Sequence, residues 1–293
     1  DPTKRLNVYR ADQRVARPES FREDNQIANM FKRDVQRATF FQDIASAAES
    51  GWDFSGRWFR DTQSMATIQT SKIIPVDLNS VLYNNELKLY AFHDRIGDHT
   101  LAQQYKAMAQ DRLELMRKVM FSDNKWSDYD ITTGKPCNQE YLSSLSPFMF
   151  ELDTAKDLPV MYHNLIFKYP GGAVISEQNT GQQWDFPNDW APYQHRLIQY
   201  YLTVAKDRPT ALDIGQRFVT SCYCGYQKYG YVFEKYHGER VGEPGGGGEY
   251  VVQEGFGWTN GVLLWLFETF PEELTVPITC TRYESSLQQL GAH

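Results

Sequence analysis

The sequence predicts an all-α protein built from successive antiparallel helices. Three observations predict it. Apolar residues recur at helical spacing along most of the chain, strand-like alternation is short and rare, and Pro and Gly punctuate a few connecting loops. With 293 residues, 41% hydrophobic and 23% charged, the chain can bury a sizeable core.

Taken in order, a first helical stretch is expected near 24–48. The next runs from Asp77 to about Ile96, with Leu78, Val81, Leu82, Leu89 and Phe92 on one side and Tyr83, Leu87 and Tyr90 on another. Two apolar sides predict burial between neighbouring helices. Thr100-x-x-Gln103 has the form of a capping box and opens the following helix, whose stripe is Leu101, Tyr105, Met108, Leu115 and Val119. Further helices are expected near 139–152, 191–205, 209–228 and 258–270. No apolar run approaches the roughly 20 residues of a membrane helix.

The loops have their own character. ARPESFRED (16–24), ESGWDFSGRW (49–58), GQQWDFPNDWAP (181–192) and EPGGGGEYVVQEGFGWTNG (243–261) each mix carboxylates with Trp or Phe. Loops on a rigid scaffold are where function concentrates. The net charge of −7 and pI near 5.4 argue against nucleic acid or an anionic membrane as partner. Cys222 and Cys224 sit two apart in a helical stretch, where side chains diverge, so they are not expected to pair with each other. The chain begins at Asp1 without a Met or a signal peptide, so its start looks processed or truncated. A secreted or extracellular-facing location is favoured.

Asp53 lies between Trp52 and Phe54. Aromatic rings strip water from a carboxyl group and favour its protonated form, which suits a general acid. The plainer role is a helix cap or a partner for Arg57. Glu234, between Phe233 and Lys235 with Tyr236 beyond, is a second carboxylate in aromatic company, and hydrolysis of a glycosidic bond needs two. Its plainer role is a surface pair with Lys235 or Arg240. The run Gly245–Gly248 lacks the Lys-Ser/Thr of a phosphate loop and is flanked by Glu243 and Glu249, so it reads as a flap carrying Glu249 and Tyr250 over a site. His93 and His99 have no evident third ligand, and no metal site is expected there.

Together these loops resemble the trehalase family of inverting glycoside hydrolases. ESGWDFS (49–55) is similar to the family's catalytic-acid segment, QWDFPNDWAP (183–192) to its second signature, and GGGGEY (245–250) with QEGFGWTNGV (253–262) to its C-terminal signature. IIPVDLNSVLY (73–83) and RPESFRED (17–24) match as well. The resemblance implies an (α/α)6 toroid, with residues 1–293 as the C-terminal portion of a single catalytic domain. It implies hydrolysis of α,α-trehalose, Asp53 as general acid and Glu234 as general base, with Arg17, Glu19, Gly51, Trp184 and Glu249 lining the sugar site. Neither cofactor nor metal is implied. The family's first signature, a PGGRF-type segment before a Trp-Asp pair, does not occur here, so an N-terminal half is the expected partner. Asp189 stands where the second signature has a small residue, and Gly56 where Ser is common. The alternatives are an inverting α-glucosidase with another substrate and a non-catalytic sugar-binding subunit.

Overall fold

A computed structural model describes residues 5–153, 160–274 and 280. The chain forms two compact units, Asp1–Ala155 and Lys156–His293. Each is mostly helical, as the apolar periodicity predicts.

In the first unit the expected helix near 24–48 is two: α1 (Phe21–Ala28) and α2 (Asp34–Ser50). The break falls at residues 29–33, where Asn29 caps α1 through its own N–H. α2 buries Phe40 through Ala47 on every side and ends at Gly51, whose φ of 75° is the left-handed conformation that terminates helices. Then follow α3 (Val76–Arg95) and α4 (His99–Met120), which pack as a pair, and a short α5 (Ser146–Met149) after a 3-10 turn over Leu142–Leu145. Short strands complete the unit: β1 (Ile73–Ile74), β4 (Tyr129–Asp130) and β5 (Lys135–Pro136) form one antiparallel sheet. β2 (Phe121–Ser122) and β3 (Lys125–Trp126) form a hairpin. Its two-residue turn puts Asp123 and Asn124 at positive φ, the conformation that tight hairpins require.

Three sequence expectations are corrected here. α3 is not buried on two apolar sides: Leu89 and Phe92 are exposed, and its buried residues are Val76, Asn79, Ser80 and Glu86. A polar network explains this. Arg112 of α4 donates to both oxygens of Glu86 and to Asn79, and Asn79 exchanges hydrogen bonds with Asn7. The buried stripe of α4 lies one position along from the one expected, at Ala102, Ala109, Arg112, Met116 and Met120. Alanines at 102 and 109 let α3 approach closely, and the longer Leu101 and Met108 turn outward. The helix is capped by Asp98, whose carboxylate accepts from Leu101 N–H, not by Thr100.

The second unit holds α6 (Val160–Phe167), α7 (Ala191–Thr203), α8 (Arg208–Tyr229) and α9 (Gly257–Thr269). The last three match the expected ranges within a few residues; α6 was not anticipated. α8 is capped by Asp207 and ends at Gly230, with φ 81°. Its Gly215 lets α9 come close, since a Cβ there would lie 3.2 Å from Leu266. Between the helices, β6 (Asn188–Trp190) pairs antiparallel with β7 (Lys235–His237). Single bridges from Val174 to Asp189 and from Pro244 to Tyr236 extend this ribbon on both edges. Cys224 of α8 is disulfide-bonded to Cys280, while Cys222 stays a buried thiol, in keeping with the diverging side chains expected at that spacing.

Candidate active site

The sequence-selected residues fall into two groups, one in each unit. In the first unit, Asp53 follows the sharp exit from α2. Gly51 turns the chain, Ser50 Oγ accepts from Trp52 N–H, and Trp58 Nε1 donates to the Trp52 carbonyl. Asp53 itself is half-buried, and its peptide bond to Phe54 is cis. The rings that flank it pack against guanidinium groups: Arg57 lies 4.5 Å from the ring centres of both Trp52 and Trp58, and Arg17 lies 5.0 Å from that of Phe54.

Neighbours take the plainer roles considered for Asp53. Ser55 caps the following 3-10 turn by accepting from Arg57 N–H. Arg57 makes two forks, to Asp77 at 2.7 and 2.9 Å and to Asp128 at 2.7 and 2.9 Å. Complete burial works against its charge, but Asp128 and Asp77 outweigh burial and hold its pKa well above the ordinary value. Asp128 also accepts from Val76 N–H at the start of α3. The Asp53 loop is therefore tied to α3 and to the segment after β3 by one buried cation.

Arg17 is buried and binds Asp24 through its main-chain N–H and two side-chain nitrogens, at 2.7 to 3.0 Å. Glu19 is exposed in the 3-10 turn Pro18–Ser20, and Gly51 is exposed at the α2 terminus. Arg17 thus reaches the Asp53 loop through Phe54. His93 and His99, weighed as metal ligands, each pair with an aspartate across the α3–α4 turn: His93 with Asp98 and His99 with Asp94.

In the second unit, Glu234 immediately precedes β7 and is only 1% exposed, which overturns the surface-pair alternative. Its main-chain N–H donates to Gln253 O, and its carbonyl accepts from Thr259 Oγ1 and Trp258 Nε1. Its carboxylate accepts from the Tyr250 hydroxyl at 2.6 Å and lies 3.5 Å from Lys235 Nζ. Lys235, equally buried, donates to Gln183 Oε1 and faces the rings of Trp190 and Tyr250.

Trp184 is buried and stacked on Trp190 at 4.2 Å, with Trp258 edge-on to both. Glu249 is exposed on the glycine flap, next to Tyr250. The unit thus gathers Glu234, Trp184 and Glu249 around one ribbon. Asp77, Asp128, Gln183 and Trp258 were not singled out from sequence, and Arg57 and Lys235 entered only as plainer partners for Asp53 and Glu234. The available signal was a charged residue inside an apolar stretch, as in VFEKYH.

Asp189, the departure from the second signature, lies within β6. It is 0% exposed, and neither carboxyl oxygen has a hydrogen-bond partner among the described residues. Burial raises its pKa well above the ordinary carboxyl value, against a smaller opposing influence from Arg217. The shift favours its uncharged form.

Residues 1–271 match the Trehalase family. The chain is 38% identical over 293 residues to a trehalase of Dictyostelium discoideum, covering 92% of this chain and 49% of that protein. To a human trehalase it is 36% identical, with 92% and 48% covered. To a periplasmic trehalase of Escherichia coli it is 36% identical, with 97% and 52% covered. The chain therefore spans about half the length of these relatives. Its structure is similar to that of the neutral trehalase Nth1 from Saccharomyces cerevisiae, with a TM-score of 0.69 at 19% identity, covering 94% of this chain and 54% of that one. The fold is the helical (α/α)6 type expected from the motifs, and the chain belongs to the trehalase family.

Proposed function

We propose that this chain carries both carboxyl groups with which an inverting trehalase hydrolyses α,α-trehalose. Asp53 protonates the bridging oxygen as its bond to the anomeric carbon breaks. Glu234 takes a proton from the water that attacks that carbon from the opposite face. One glucose leaves as the α anomer and the other forms as the β anomer. Arg17, Glu19, Gly51, Trp184 and Glu249 line the sugar site in this reading, and residues 1–293 belong to one catalytic domain.

The observation that carries the reading is the seat of Glu234. A carboxylate at 1% exposure, fixed through its main chain and met by a hydroxyl and an ammonium, costs stability and is retained where chemistry uses it. That the relatives are trehalases supplies the substrate. An N-terminal half as partner is part of this reading, since the chain spans about half the length of the relatives it matches; adding such a half to the assay tests it. The Cys224–Cys280 disulfide supports an oxidising, extracellular-facing compartment.

The test is proton NMR of trehalose with the protein as it occurs naturally. Equal early release of α- and β-glucose is expected. Asp53→Asn and Glu234→Gln should each remove nearly all turnover with helical circular dichroism unchanged. Turnover of maltose or sucrose in place of trehalose would move the substrate to another α-glucoside. Trehalose binding by calorimetry without glucose release would make the chain a sugar-binding subunit.

A further inference from the structure

The loop after β7 is held at both of its stems by residues 232–237, which include Glu234 and β7, and by Asn188 of β6. On one side His237 N–H donates to Glu243 O, Gly245 N–H donates to Lys235 O, and Asn188 clasps Gly246 through both its amide and its carbonyl. On the other side Glu234 N–H donates to Gln253 O, and Gly255 N–H donates to Val232 O. Residues 247–252 arch between these stems. Gly247 and Gly248 take φ of +79° and +85°, and a Cβ on Gly247 would sit 2.5 Å from the Gly181 carbonyl oxygen. Only glycine seats the arch there.

From this arch Tyr250 reaches back to the strand. Its hydroxyl donates to Glu234 Oε1 at 2.6 Å, within the range of short charge-assisted bonds. Its ring faces Lys235 Nζ at 5.3 Å. The other oxygen, Oε2, has only the 3.5 Å approach of Lys235, whose closer partner is Gln183 at 2.8 Å. Tyr250 is 45% exposed, so the bond sits at the rim of the buried carboxylate.

We infer that Tyr250 is a positioning residue: the seated flap uses its hydroxyl to fix Glu234 Oε1, leaving Oε2 as the oxygen that accepts the proton of the attacking water. The inference rests on Glu234 being the base. It couples closure of the flap, which also carries Glu249, to the geometry of that base. Removing the hydroxyl leaves the carboxylate free to rotate, and orientation is what proton transfer needs.

The experiment is steady-state trehalose hydrolysis by the whole protein, comparing wild type, Tyr250→Phe, Glu234→Gln and the double variant. Tyr250→Phe keeps the ring over Lys235 and loses only the hydroxyl. Its kcat is expected to fall about 10- to 100-fold, with KM within about threefold and Tm within about 2 °C of wild type. The double variant should be no worse than Glu234→Gln. Gly247→Ala, which unseats the arch, should reproduce the kcat loss. Wild-type kcat in Tyr250→Phe beside an inactive Glu234→Gln would overturn the inference and leave the base in place. A loss confined to KM would also overturn it, by making Tyr250 a substrate contact. Full turnover by Glu234→Gln would remove the base assignment and the inference with it.

Discussion

Arg57→Lys isolates the geometry of the cation beneath the Asp53 loop, because it keeps the charge and removes the fork. Arg57 makes four hydrogen bonds of 2.7 to 2.9 Å to Asp77 and Asp128 and packs between Trp52 and Trp58. A lysine offers three hydrogens from one atom and cannot make two planar forks; keeping one bond to each carboxylate leaves two of the four lost. A hydrogen bond to a charged group contributes about 1.5–3 kcal/mol, which puts the loss at about 3–6 kcal/mol. Against an ordinary stability of about 5–15 kcal/mol that is a large fraction. Arg57→Met should do worse, since it leaves two carboxylates facing each other with no cation. Urea unfolding followed by far-UV circular dichroism measures both. Turnover of the folded Arg57→Lys fraction should also fall, because the Trp52–Trp58 loop sets where Asp53 stands. Stability within about 1 kcal/mol of wild type would mean that the loop is held by its main-chain bonds and that the cation is dispensable.

Reduction of the Cys224–Cys280 disulfide, or Cys224→Ser, releases a loop of sequence separation 56 that contains Glu234, the glycine flap and α9. Chain entropy puts the stability loss on the order of 4 kcal/mol, and coincident urea transitions with and without reductant would contradict it. Asp189 has a folded-state pKa raised above its unfolded value, so the native state holds a proton that the unfolded chain releases. Its penalty is absent below the unfolded pKa of about 3.9 and grows as pH rises toward the folded value. Asp189→Ala should therefore be more favourable to stability near pH 8 than near pH 4; an equal shift at both pH values would refute the raised folded-state pKa. Gly245→Ala would place a Cβ 2.4 Å from Asn188 Oδ1 and 2.9 Å from Lys235 Cγ. It should cost about 1–3 kcal/mol and lower turnover, as read by thermal melting alongside the trehalose assay.

Helix existence was legible in the sequence because apolar spacing survives in α7, α8 and α9. The α3–α4 pair shows where such spacing misleads. Its interface is built on alanines and on the Glu86–Arg112–Asn79 network, none of which scores as an apolar stripe. Periodicity therefore points at the longer side chains beside the true seam. The division of 24–48 into α1 and α2 was missed for a related reason: no Pro or Gly marks residues 29–33, and Asn29 ends α1 by its own hydrogen bonding.

The candidate site was legible as residue types and not as partnerships. A carboxylate among rings drew attention to both Asp53 and Glu234, yet the rings do different things in the two places. Around Asp53 they pack under Arg57 and Arg17, so their contribution is to hold a loop. Around Glu234, Trp190 and Tyr250 face the ammonium of Lys235, and a hydroxyl meets the carboxylate. Aromatic company alone therefore does not establish a desolvated acid, because a ring serves equally well as the seat of a cation. What separates the two cases is where the nearest guanidinium or ammonium finds its carboxylate. Arg57 finds Asp77 and Asp128, distant in sequence, while Lys235 lies beside Glu234 and donates to Gln183. Those partners are 20, 71 and 52 residues away, and only the folded chain brings them together.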